Sequence, residues 1–144
     1  MRRATREKLF AVLAPLLAAG LLVAGCGGSG SSGPLTRSEF IEEANTICQE
    51  AEAERSEALR EVDGSPALST LTSEAISPVE GMTEDLAELN PPAADSKEIT
   101  AIVDAFQAGV AEVKADSADP SVGIAAFAEA SSLAEDYGLT DCTI

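Results

Sequence analysis

Histidine is missing from this 144-residue chain, which removes the commonest general base and the commonest transition-metal ligand. Basic residues are scarce too, nine lysines and arginines against 25 acids. Nucleic-acid binding needs clustered Lys and Arg to neutralise phosphates, so no nucleic-acid partner is expected. The same imbalance opposes contact with an anionic lipid surface except through an anchor or bridging cations. No phosphate-cradling glycine loop, EF-hand or serine elbow occurs, and no segment alternates apolar and polar residues as a strand or hairpin would. A zinc site built on two cysteines would need two further ligands and a reducing compartment. No catalytic residue, cofactor or metal site is therefore expected. One tyrosine and four phenylalanines beside so many acids would suit disorder, but the apolar periodicity of residues 36–142 opposes it.

The first residues carry a different message. "MRRATREK" places Arg2, Arg3, Arg6 and Lys8 ahead of the apolar run Leu9 to Ala24, followed by small residues. This is the order of a secretory signal. The run is shorter than the roughly 20 apolar residues of a spanning helix, and Pro15 interrupts it. Val23, Ala24, Gly25 and Cys26 resemble the lipobox of bacterial lipoprotein signals position by position. The resemblance implies cleavage between Gly25 and Cys26, diacylglycerol on the Cys26 thiol, and acylation of the new amino terminus, with palmitate as the expected chain. Two or more acyl chains anchor stably where one is marginal. "GGSGSSGP", Gly27 to Pro34, reads as a flexible tether, about 15 Å end to end as a coil. The expected organisation is a signal peptide over 1–25, a lipidated cysteine and tether over 26–35, and a helical domain over 36–144. The expected location is the extracytoplasmic face of the cell membrane, held by lipid.

Of the charged residues, Arg2, Arg3, Arg6, Lys8 and Glu7 precede Cys26, so the chain from Cys26 onward keeps five basic and 24 acidic side chains. Spending Cys26 on lipid also leaves Cys48 and Cys142 as an even pair in an oxidising compartment. An intramolecular bridge is one reading of that pair; two free thiols or an intermolecular bond are the others.

Four helical segments follow from spacing and punctuation. "LTRSEF" offers Thr36 as cap, Glu39 as its reciprocal partner and Leu35 with Phe40 as a staple, so the first helix begins at Arg37. Its inward stripe is Phe40, Ala44, Ile47, Ala51, Ala58 and Val62, widened by Ile41, Cys48 and Leu59, and Asp63-Gly64 ends it. A second helix is predicted from Ser65-Pro66, with Leu68, Leu71, Ala75, Val79, Met82, Leu86 and Leu89 inward. Pro78 lies inside it and favours a kink over a break; "NPP", Asn90 to Pro92, stops it. "DSKE", Asp95 to Glu98, is a capping start for a third helix carrying Ile99, Ile102, Val103, Phe106, Val110 and Val113. Asp119 and Pro120 open a fourth, which buries Ile124, Phe127, Ala130, Ala134 and Tyr137 and ends at Gly138-Leu139 in a left-handed cap. The predicted fold class is all-α, an antiparallel four-helix bundle with one disulfide.

"FIEEANTIC", "LNPPA" and "YGLTDC" together resemble a group of small actinobacterial lipoproteins and secreted proteins. Phe40, Ala44, Asn45, Ile47 and Cys48 match its first-helix pattern, Pro91 and Pro92 its mid-chain break, and Tyr137, Gly138, Leu139 and Cys142 its ending. The resemblance implies a helical domain with Cys48 and Cys142 bridged, and brings no catalytic residues.

One charge pattern stands out. Glu39, Glu43, Glu50, Glu54, Glu57 and Glu61 share a narrow arc of the first helix, a solvated flank or else a rail for divalent cations or a basic partner. Arg55 lies near the inward arc, as a snorkelling side chain or as one half of a pair with an acid of another helix. Asn45, one turn before Cys48, reads as a surface helix residue, or else as one that satisfies a backbone group near that cysteine. The functional expectation is a lipid-anchored envelope module that works by binding, to an envelope protein or otherwise. A divalent-cation or small-ligand receptor is the alternative, and a carboxylate-dependent hydrolase a more distant one.

Overall fold

Thr36 opens the first helix as its sequence predicts. In the computed structural model, which describes residues 33–144, its hydroxyl accepts from the Glu39 amide at 3.3 Å, while the Glu39 carboxylate accepts from the Thr36 amide at 2.8 Å. Both halves of the capping box are therefore present. The expected signal peptide, the expected Gly25–Cys26 cleavage and lipidation site and most of the expected tether lie outside the described residues, as do the side chains of Pro120, Ser121 and Ile124.

The described elements are α1 (Arg37–Glu61), α2 (Leu68–Glu88), α3 (Ser96–Ala115), α4 (Pro120–Ala126) and α5 (Ala128–Tyr137), with no strand among them. Short connections make α1, α2 and α3 antiparallel neighbours: α1 packs on α2, α2 on α3, and α3 on both α4 and α5. The described residues all belong to one compact unit. Its core is Phe40, Ala44, Cys48 and Ala51 of α1, the buried face of α2 from Ile76 to Leu86, all six predicted inward residues of α3, and Phe127, Ala130, Ala134 and Tyr137 behind them. Leu139 and Cys142 complete it from the tail after α5.

Three details depart from the sequence reading, and one follows it. The α2 helix begins at Leu68, with Ala67 as an N-cap that makes no side-chain bond, so Pro66 lies before the helix and not at its first position. As the sequence favours, Pro78 sits inside α2 without breaking it; neighbouring turns carry the helix past the lost donor. The fourth predicted helix is two, because Phe127 breaks it with φ −103° and ψ 0°. The reason lies in α3: a Cβ on Gly109 would meet both the Ala126 carbonyl oxygen and the Phe127 ring at 2.7 Å. The absent side chain lets the break seat directly on α3, and the Phe127 ring lies 6.3 Å from that of Phe106. Finally, the α1 stripe centres on Cys48 and not on Ile47, which is only half-buried, and it fades beyond Ala51.

The far end of α5 closes as predicted. Gly138 takes φ 109°, its amide donates to Glu135 O at 3.0 Å, and the Leu139 amide donates to Ala134 O at 2.8 Å. These are the paired bonds of a Schellman cap, with Leu139 as its buried apolar follower.

Candidate functional site

The two ends of the bundle are built differently. At the end where the chain enters, the Leu35 amide donates to Asn90 O at 2.9 Å, and α1 meets α5 and the head of α3 around one tyrosine. The Tyr137 hydroxyl donates to Asp95 Oδ2 at 2.9 Å, and Arg37 reaches the same oxygen at 3.3 Å. Arg37 also donates to Tyr137 O at 3.0 Å, and its guanidinium lies 4.0 Å from the ring centroid. Phe40 meets the ring edge-on at 6.0 Å. Burial, then the hydrogen bond and negative charge of Asp95, push the Tyr137 hydroxyl up to about 12. This explains why Asp95 makes no side-chain cap on α3: its carboxylate is held by a ring and a cation from other helices.

One turn farther along α1, the tail is fastened. Cys48 and Cys142 are bonded, with Cα atoms 5.0 Å apart. Asn45 accepts from the Asp141 amide at 3.1 Å and donates to Gly138 O at 3.4 Å, so of its two readings the structure shows the one that satisfies backbone beside the bridge. Gln49 adds a bond to Asp141 Oδ2 at 2.9 Å.

At the other end the helices do not close over their apolar residues. The chain turns between α1 and α2 through Gly64, at φ 79°, and α4 is only seven residues long. The upper half of α2 therefore faces a cleft of about 410 Å³ in place of a fourth helix. Leu68, Leu71, Ala75, Ile76 and Val79 of α2 form one wall, Leu59 and Arg55 of α1 another, and Val113 and Phe127 the floor. Thr72, Asp119, Gly123 and Ile144 complete the lining. Leu59 and Leu68 are 36% and 40% exposed, so residues read from periodicity as core are the walls of an open site. A smaller, more polar cleft of about 250 Å³ adjoins it and shares Arg55, Val79 and Ile144. It holds Glu52, Asp141 and Thr143.

Among the described residues Arg55 makes no pair with another helix: its Nε donates to Glu52 Oε2 at 2.9 Å within α1, and its Nη2 reaches the same oxygen. Nη1 makes no protein hydrogen bond among the described residues. The acidic arc follows the whole of α1. Glu39 is taken up by the Thr36 cap, which holds its carboxyl below the usual range. Glu43, Glu50, Glu54, Glu57 and Glu61 are all exposed, and among the described residues no three metal-ligating side chains converge. Spacing placed these acids on one face; sideways convergence, which a cation needs, is absent from it. Sequence reasoning missed the cleft, because leucine at helical spacing reads the same whether a neighbour covers it or not. The short fourth segment, with Gly123 three residues after Pro120, was the available signal.

No helix among the described residues is long and apolar enough to cross a membrane. No family model matches the chain, and no curated protein or solved structure matches it either.

Proposed function

We propose that this protein is a lipid-anchored, extracytoplasmic binding protein of the cell envelope, and that it works by holding a small apolar ligand in the cleft between α1 and α2. The carrying observation is the cleft itself. Ligand sites are concave, mostly apolar, some 300–1,000 Å³ in volume and furnished with a few polar groups. This one has about 410 Å³, a wall of leucine, isoleucine and valine, and Arg55 with Asp119 at its edge. The absence of histidine from the chain favours binding over hydrolysis, as does the scattering of the exposed α1 acids along one helix.

The anchor rests on Val23 to Cys26 and on the tether after it. Cys26→Ala is expected to abolish metabolic acyl labelling and release the protein from membranes; unchanged labelling would remove the anchor from the reading. The binding half is tested by native mass spectrometry of protein isolated from its own host, with a co-purifying mass of small-molecule size as the expected result. A bound protein subunit with no small ligand would return the reading to an interaction module.

A further inference from the structure

We infer that the occupant of the cleft is a single-chain amphiphile with an anionic headgroup, its tail lying along α2 and its headgroup on Arg55. The inference rests on the cleft-binding reading above and names the ligand class.

Shape is the first argument. The lining residues of α2 run from Leu68 to Val79, about 16 Å along the helix axis at 1.5 Å per residue. The site is thus a trough parallel to α2, open along its length. An extended chain of about a dozen carbons has a similar length, and a trough with apolar walls and floor excludes water from one tail better than from a compact polar solute.

The second argument is how polarity changes along the site. At Val79 and Arg55 the apolar trough passes into the smaller cleft, where Glu52, Asp141 and Thr143 replace the leucines. Apolar and polar compartments meeting at one shared cation are the complement of an amphiphile. Arg55 is the only basic side chain lining either compartment, in a chain with few bases to spend. Glu52 occupies its Nε and Nη2 through a single oxygen. That leaves Nη1 to donate to a carboxylate or phosphate oxygen, for which a guanidinium is geometrically suited. Glu52 and Asp141 in turn repel a headgroup that moves past Arg55, which fixes the depth of entry.

Photo-crosslinking of the full chain, isolated from its host and held in phosphatidylcholine nanodiscs, tests this. The probes share one dodecyl chain with a terminal diazirine and differ in headgroup: carboxylate, alcohol or trimethylammonium. The carboxylate probe is expected to label peptides of α2 between Leu68 and Val79. Shortening its chain should weaken labelling roughly fourfold per methylene. Arg55→Gln is expected to lower carboxylate labelling about tenfold, the worth of one hydrogen bond to a charged group, and to leave alcohol labelling within about twofold. Gly123 lines the trough and has nothing within 4 Å of an added Cβ, so Gly123→Leu begins in open space and occupies the trough, and should abolish labelling by all three probes. Equal labelling by the three headgroups, or indifference to Arg55→Gln, overturns the anionic amphiphile and leaves cleft binding standing. Labelling outside the trough, or persisting in Gly123→Leu, overturns both.

Discussion

Asp95 precedes the first turn of α3, yet its carboxylate oxygen lies 2.9 Å from the hydroxyl of Tyr137, 42 residues later. The bond joins the head of α3 to the end of α5, and Arg37 brings α1 to the same oxygen. Three helices thus share one acceptor.

That acceptor gives the fold an alkaline limit. The Tyr137 hydroxyl is pushed from 10 up to about 12 in the folded protein. A group whose value is raised on folding contributes stability that is complete below its unfolded value and lost as pH rises through the folded one. The window here is pH 10 to about 12. Since Tyr137 is the one tyrosine in the chain, tyrosinate absorbance should titrate near 12 in native protein and near 10 in denaturant. Tyr137→Phe should flatten the fall of melting temperature across that window; an unchanged fall would clear this residue of the effect.

Two glycines should respond in opposite directions to the same substitution. Gly109→Ala drives a methyl group against a backbone oxygen and a buried ring, each 2.7 Å away. Overpacking of about 1–3 kcal/mol outweighs the helix-propensity gain of about 1 kcal/mol, so a net loss is expected in urea denaturation. Gly81→Ala, within α2 and with nothing inside 4 Å, should instead gain up to about 1 kcal/mol.

Removing the bridge with Cys48→Ala and Cys142→Ala together should cost about 2–4 kcal/mol, as expected for the long loop it closes. Both cysteines are almost fully buried. Reductant should therefore open the bond in native protein far more slowly than in denaturant, which thiol alkylation followed by mass spectrometry measures. Similar rates would show that the tail opens freely.

Asn45→Ala should cost about 1 kcal/mol and speed hydrogen exchange at the Asp141 amide, which loses its acceptor. Asn45→Asp keeps that acceptor and loses only the donor to Gly138 O, so its exchange should stay closer to wild type.

The parts of this fold that were legible in the sequence are those set by local chemistry. The Thr36–Glu39 box, the Gly138–Leu139 ending and the α3 stripe depend on residues within a few turns of one another, and each is found as its spacing predicts. What spacing does not carry is whether a second helix stands opposite. Leu59, Leu68 and Leu71 have the periodicity of core, but α4 is too short to cover them, and they line a cleft. The break at Phe127 was hidden for a related reason, since its cause, the bare backbone of Gly109, lies in a different helix. Asp95 read as a cap because caps are local, while its partner, Tyr137, is not.

The bond between Cys48 and Cys142 also fixes an order of events. A chain is made from its amino end, so the α1 thiol emerges with no partner until 94 further residues have followed it. The apolar cleft is lined in part by Ile144, which belongs to the same late segment, and the polar cleft beside it by Cys48 and Cys142 themselves. A nascent or truncated copy lacking that segment would therefore have neither the covalent closure nor the finished trough, and would show a reactive thiol in their place.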